Sequence, residues 1–189
     1  MDLRGWILGD HHQLNTRLAE QVLAHVPAAR QPEQVDGGGS SITSLLWHIA
    51  RHHDLAVNLV VRRTALVLDE WRGRVGAAAM TAGAGLAEAE DRAITESLDP
   101  AAVVAYHDAV ATTTAAWLAE MDLATLDEVP DAAAALTSAG VGADEYPWLH
   151  RMWDGKPVSF YIAWEDIGHG VTHVGEMVSI RNRMGLSPF

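Results

Sequence analysis

The sequence predicts an all-α protein with a single domain, and three observations support this. Four segments place apolar residues three and four positions apart, which is the period of an amphipathic helix. No segment shows the apolar–polar alternation of a half-buried strand, and no internal repeat is present. The length of 189 residues suits one domain with its own core. We therefore expect residues 1–189 to form one unit.

The first predicted helix runs from about Asp2 to Val26. Its apolar face consists of residues that recur at helical spacing: Leu3, Ile7, Leu14, Leu18 and Val22. Pro27 and Pro32 end it, because proline cannot donate the backbone hydrogen bond that a helix interior requires. A glycine-rich turn at residues 36–41 separates it from the second helix.

The second predicted helix begins at an N-cap, Ser41 or Thr43, and continues to about Arg63. Its apolar positions are Leu45, Leu46, Ile49, Leu55, Ala56 and Leu59. The helical pattern weakens from Thr64 to Gly85, where several glycines predict a loop with short helical turns. A minor helix is predicted from Leu86 to Ser97.

The third long helix is predicted from Asp99-Pro100, an N-cap followed by proline at the first helical position, to about Met121. Its inward stripe is Val103, His107, Val110, Thr114, Trp117 and Met121. Leu123–Gly155 is the least regular segment, and a loop this long is usually functional or mobile. The last helix is predicted from Val158 to Met184, ending at Gly185. The result is a helical bundle with one long crossover segment.

Composition excludes several classes of function. A net charge of -12 argues against a nucleic-acid surface, which needs clustered Lys and Arg, and against docking on anionic lipid. No apolar run approaches the ~18 residues of a membrane span, and the N-terminal residues do not resemble a secretory signal, so a cytoplasmic location is expected. Because the chain has no cysteine, a metal ion must be bound by His, Asp or Glu together with water.

His169 and His173 form the sharpest local motif, His-Gly-Val-Thr-His. Residues four apart lie on one helix face with Cβ atoms ~5–6 Å apart, so both imidazoles can reach one cation at ~2.0–2.1 Å. The interior glutamate of the helical metalloprotease motif is missing, which excludes that mechanism. Gly170 lowers helix propensity and indicates that a neighbouring group needs room.

His48 is the candidate for a third ligand from another helix. It shares a row with Leu45, Leu55 and Leu59, and therefore faces inward. A neutral imidazole in an apolar row needs partners for its nitrogens, which a metal ion and a hydrogen-bond acceptor can supply. The alternative, and the commoner arrangement, is a core histidine bonded to a buried hydroxyl or carboxylate.

These segments together resemble one known superfamily. The stretch SLLWHIARH at residues 44–52, with the later HxxxHxGE at residues 169–176, is similar to the pattern of the DinB-like (YfiT-like) metalloenzyme superfamily. The resemblance extends over most of the chain, although residues 131–157 are longer and more irregular than is usual there. It implies a four-helix bundle of up-down-down-up topology in which His48, His169 and His173 bind one divalent metal ion.

The resemblance also implies a class of chemistry. Mycothiol-dependent maleylpyruvate isomerase belongs to the same superfamily, so mycothiol or another low-molecular-weight thiol is an expected co-substrate, and a homodimer is expected. That branch carries Glu at the position of His169, so its reaction is not transferred to this chain. Three neutral ligands leave a metal ion open to water, as in catalytic sites. Zinc and nickel are the favoured ions, and iron, manganese and copper are compatible with imidazole.

Three carboxylates lie close to the histidine motif in sequence. Glu165, one turn before His169, either orients an imidazole or accepts a proton from metal-bound water; the alternative is a solvated carboxylate. Asp166 is interpreted as a residue at the boundary with solvent. Glu176 is expected to make a structural contact, such as an ion pair with an arginine.

Further histidines and the tryptophans have weaker assignments. His52, four residues after His48, can replace or join it as a ligand, whereas His53 is interpreted as a surface residue. His11 and His107 lie on inward rows, where they line the pocket or satisfy the core. Core, rim or dimer-contact positions are expected for Trp47, Trp117, Trp148, Trp153 and Trp164.

Two functional hypotheses follow from the sequence. The first is a metal-dependent enzyme that catalyses hydrolysis, or transfer or isomerisation with a low-molecular-weight thiol. The second is a non-catalytic bundle that binds a small ligand or a protein partner, with its histidines kept for stability. Metal content distinguishes them, because only the first requires a bound ion.

Overall fold

The computed structural model describes residues 2–87 and 94–189, and all regular structure in these residues is helical. In chain order the helices are α1 (Leu3–Leu18), α2 (Ile42–His53), α3 (Leu68–Trp71), α4 (Pro100–Glu120), α5 (Ala132–Ser138), α6 (Pro147–Trp153), α7 (Val158–Phe160) and α8 (His169–Arg183). π-Helical segments extend three of them: Ala19–Leu23 after α1, Asp54–Val61 after α2, and Tyr161–Gly168 between α7 and α8. The predicted all-α class is confirmed for these residues, and none of their helices is long and apolar enough to cross a bilayer.

The predicted starts of α2 and α4 are confirmed by their caps. Ser41 caps α2: its Oγ accepts from the Ser44 backbone N–H at 3.0 Å, and the Ser44 Oγ accepts from the Ser41 N–H at 2.9 Å. Asp99 caps α4 by accepting from the Ala102 N–H at 2.9 Å, with Pro100 in the first turn. The last helix ends before Gly185, which has φ +75° as a C-terminal glycine does.

Helix α2 lies at the centre of the molecule. Every residue from Ile42 to His53 is buried, because α4 and α8 pack on α2 while α1 packs on α4 and α8. The main core between these elements includes Leu14, Leu18, Leu45, Ile49, Val110 and Met177. Polar side chains of α2 are therefore enclosed along with the apolar ones, so each needs a partner inside the protein.

The long segment expected to be irregular at Leu123–Gly155 is more ordered than predicted. It contains a 3-10 turn at Leu123–Asp127 and the helices α5 and α6. These helices bury a second core with the residues after α2, and its members include Leu55, Leu86, Leu136, Leu149, Trp153 and Tyr161. This segment therefore covers one end of α2. Half of the minor helix predicted at Leu86–Ser97, namely residues 88–93, lies outside the described residues.

Candidate metal centre

Three predicted histidines meet between α2 and the start of α8. Nε2 of His169 lies 3.2 Å from Nε2 of His48 and 3.0 Å from Nε2 of His173. The ligand atoms of all three are within 4.8 Å of one another. Two nitrogens bound tetrahedrally to one zinc ion at ~2.0–2.1 Å are ~3.3–3.4 Å apart. The three imidazoles are thus close to the spacing that one ion requires.

Hydrogen bonds on the far side of two rings turn their Nε2 atoms towards this point. Nδ1 of His48 donates to the Gly85 carbonyl at 2.7 Å, and Nδ1 of His173 donates to Oε2 of Glu176 at 3.1 Å. Each neutral ring then carries a lone pair on Nε2. A proton on Nε2 of His169 can bridge to one of these nitrogens but not to both. The arrangement suits a cation better than it suits hydrogen bonds among the rings.

The surroundings keep two of the rings uncharged. Burial, followed by the charge that His52 would carry, lowers the pKa of His48 to about 3. Burial, with the neighbouring His52, His48 and His173, lowers the pKa of His169 to about 2. Both imidazoles are therefore neutral near pH 7, which is the form that binds metal ions.

Glu165 supports the centre from inside the protein, so the alternative of a solvated carboxylate is wrong. It is 1% exposed. Its Oε1 accepts from the Trp153 indole N–H at 2.6 Å, and its Oε2 lies 3.2 Å from Nδ1 of His52 and 3.8 Å from Nδ1 of His169. Nδ1 of His169 is buried without a hydrogen-bond partner among the described residues. Glu165 thus faces Nδ1 of His169 at a distance beyond a hydrogen bond, from which its carboxylate can orient the ring electrostatically.

His52 belongs to this supporting group and does not point at the other three Nε2 atoms. Its Nε2 donates to the Leu86 carbonyl at 3.1 Å, while its Nδ1 faces Glu165. His52, Glu165 and His169 also lie close enough together to hold an ion. The expectation that His52 replaces or joins His48 as a ligand stays a prediction, and in this structure His52 belongs to a second, adjoining group that shares His169.

The backbone on both sides of the centre departs from a regular α-helix or contains a glycine that has no room for a side chain. The π-helical segment Tyr161–Gly168 precedes His169, and such widened turns are frequent at functional sites. A Cβ on Gly170 would lie 2.6 Å from Cδ2 of Leu14, so the close neighbour predicted for this glycine is a side chain of α1. Gly85, whose carbonyl holds His48, has φ +84°, and a Cβ there would lie 2.1 Å from the Trp47 indole nitrogen.

Asp166 and His53 were predicted at the boundary and at the surface, and both predictions are wrong. Asp166 is 1% exposed; its carboxylate accepts from Nδ1 of His11 at 2.8 Å and lies 3.3 Å from Nε2 of His53. The same His53 nitrogen is 2.9 Å from Oγ1 of Thr114, and Nε2 of His11 donates to the Ala111 carbonyl at 3.1 Å. These residues form a buried polar cluster between α1, α2 and α4.

Three smaller predictions have clear outcomes. Glu176 makes a structural contact as expected, but its described partner is His173 rather than an arginine. His107 is buried on the inward stripe of α4, as predicted. Of the tryptophans, Trp47 and Trp153 are core residues and Trp148 and Trp164 line a pocket.

That pocket has a volume of about 300 Å³ and adjoins the candidate metal centre. It is lined by two of the three metal-site histidines, by the supporting pair and by apolar residues: His48, His169, His52, Glu165, Leu86, Ala87, Trp148, Met152 and Trp164. Sequence reasoning missed the roles of Trp153, Gly85 and Leu86. Their backbone and indole contacts come from segments without helical periodicity, so no local pattern could indicate them.

Comparisons of the chain with protein-family models, with curated proteins and with solved structures found no match. The resemblance to the DinB-like superfamily therefore stays a prediction.

Proposed function

We propose that this protein is a metal-dependent enzyme of the DinB-like superfamily, with one divalent ion held by His48, His169 and His173. The observation that carries the proposal is the convergence of three Nε2 atoms while the Nδ1 atoms of His48 and His173 are engaged elsewhere. Core histidines kept only for stability need hydrogen-bond partners. The Nε2 lone pairs of His48 and His173, together with Nε2 of His169 beside them, suit a coordination site instead.

The proposed chemistry is hydrolysis, or transfer or isomerisation with a low-molecular-weight thiol. An ion on three neutral imidazoles keeps open positions and lowers the pKa of a bound water or thiol. In this chain Glu165 and His52 line the same pocket, and they are the titratable lining residues beyond the ligands among those described. We assign Glu165 to orient His169 and to accept a proton from the activated group through Oε2, the oxygen that faces His52 and His169.

The sequence resemblance supplies the rest of the proposal. Helices α1, α2, α4 and α8 are the candidates for a four-helix bundle of up-down-down-up topology, and their mutual packing is compatible with one. Zinc or nickel is the proposed ion, and mycothiol or a related thiol the proposed co-substrate. A cytoplasmic homodimer is the proposed state of the protein. The reaction of the maleylpyruvate isomerase branch is not proposed, because His169 replaces its glutamate.

Metal analysis tests the proposal. Protein purified without an affinity tag is expected to contain close to one equivalent of a divalent ion per chain, or to bind one zinc or nickel ion with a rise in melting temperature. His48→Ala, His169→Ala and His173→Ala should each lose that ion, because each ring supplies part of one coordination sphere. His12→Ala is the matched control, because His12 is exposed.

Two results would contradict the proposal. One is a metal content below about one tenth of an equivalent with unchanged melting after zinc or nickel is added. The other is retention of the ion when any one of the three histidines is replaced. Either result would favour the non-catalytic ligand-binding bundle.

A further inference from the structure

The pocket beside the candidate metal centre is lined mainly by apolar side chains. Five of its lining residues are apolar, namely Leu86, Ala87, Trp148, Met152 and Trp164. None of the described residues that line it is Lys or Arg. A substrate with a negatively charged group away from the ion would therefore find no Lys or Arg to pair with on this wall.

Apart from Nδ1 of His169, the charged and titratable lining groups already have partners in the protein. Glu165 is in contact with Trp153 through one oxygen and with His52 through the other. The second nitrogen of His52 is bonded to the Leu86 carbonyl, and Nδ1 of His48 to the Gly85 carbonyl. Because burying a polar group without a partner is costly, the body of a ligand here gains most by being apolar.

Two indole rings line the pocket next to the metal-site histidines. Trp164 stacks on His169 with ring centroids 6.0 Å apart and planes 26° apart. Trp148 lies against His52 at 6.0 Å and 31°. Trp164 is 41% exposed even though it touches a metal-site histidine. Flat aromatic walls of this kind favour flat aromatic ligands through offset stacking and edge contacts.

We propose that this pocket binds the body of the substrate, and that the substrate is a neutral aromatic compound with one metal-binding head group. The proposal rests on the proposed function, because the head group needs the ion on His48, His169 and His173. Trp148 and Trp164 bind the aromatic ring, and the head group, a carbonyl oxygen or a thiol, reaches the open coordination positions. The volume of about 300 Å³ accommodates a substituted single ring.

Hydroxamates test this with a constant metal-binding head and a variable body. Zinc-loaded protein is titrated calorimetrically with acetohydroxamate, benzohydroxamate and 4-carboxybenzohydroxamate. Benzohydroxamate is expected to bind at least about tenfold more tightly than acetohydroxamate, because the ring enters an apolar site. The added carboxylate should remove that gain, since the pocket offers it no partner.

Variants assign the preference to the indoles. Trp148→Ala and Trp164→Ala should each reduce the benzohydroxamate preference at least about fivefold with little change in acetohydroxamate binding. Trp148→Phe should keep most of the preference, which separates loss of an aromatic wall from misfolding of α6. Trp6→Ala is the matched control, because Trp6 is 59% exposed and lies outside this pocket.

The outcomes separate this inference from the proposed function. If no zinc binds, the proposed function fails and this inference fails with it. If zinc binds and the three hydroxamates bind with equal affinity, the inference is overturned and the proposed function stands. A preference that survives both alanine variants would also overturn it.

Discussion

Gly170 and Gly175 lie on the same helix, and the structure predicts opposite effects for the same substitution. Glycine inside a helix costs about 0.8–1 kcal/mol relative to alanine. At Gly175 an added Cβ meets no atom within 4 Å. We therefore expect Gly175→Ala to raise the free energy of unfolding by about 0.4–1 kcal/mol.

At Gly170 the same Cβ would lie 2.6 Å from Cδ2 and 3.2 Å from Cδ1 of Leu14. Leu14 is buried in the main core, so its side chain cannot move without disturbing its neighbours. Overpacking of this kind costs about 1–3 kcal/mol, which the propensity gain only partly offsets. Gly170→Ala should therefore be less stable than Gly175→Ala by about 1–3 kcal/mol.

Urea unfolding of both variants in the presence of a chelator measures this difference without a contribution from bound metal. For a chain of this size, 1 kcal/mol corresponds to a shift of about 2–4 °C in melting temperature, so thermal melts provide a second reading. Equal stability of the two alanine variants would refute the close approach of α1 and α8 at Gly170.

Two further predictions concern the buried histidines. Burial opposes the charged form of His11, but the hydrogen bond and charge of Asp166 together with the Ala111 carbonyl outweigh it and raise the pKa of His11 above 6.5. The stability from this charge is complete below pH 6.5 and is lost as pH rises through the raised pKa. The difference in unfolding free energy between the wild type and His11→Gln should therefore shrink from pH 6 to pH 9 in urea titrations, and a difference that grows would contradict the ion pair. Glu176→Ala removes the acceptor that orients His173. A chelator competition should therefore show about 10- to 100-fold weaker metal affinity for this variant. Glu120→Ala, on the exposed end of α4, is the control and should leave the metal affinity unchanged.

The sequence was sufficient to predict the features that depend on short-range patterns. The caps at Ser41 and Asp99 and the end of the last helix before Gly185 follow from local chemistry, and all are observed. The i, i+4 spacing of His169 and His173 places both rings on one face, and the apolar row through His48 turns it inward. The structure brings these three rings together.

The incorrect predictions concern side chains whose surroundings are formed by several helices together. If α2 had a single apolar stripe, His53 would face solvent, but α2 is buried on all sides. Asp166 was misplaced because the segment before His169 is π-helical, so its side chains do not follow the period of an α-helix. One partner of Glu165 is Trp153, from a segment in which the sequence shows no helical periodicity. Long-range contacts of this kind leave no signal in local spacing.

The order of Glu165 and Asp166 in the chain has a mechanical consequence. They are consecutive, yet the first faces His52 and His169 while the second faces His11 and His53. One peptide unit thus joins two enclosed groups of histidines on opposite sides of the same backbone. Because the two residues share one peptide unit, a backbone rotation at Asp166 also turns the Glu165 carboxylate, whose Oε2 lies 3.8 Å from Nδ1 of His169. The position of Glu165 in the candidate site therefore depends in part on a group of residues that does not line the pocket.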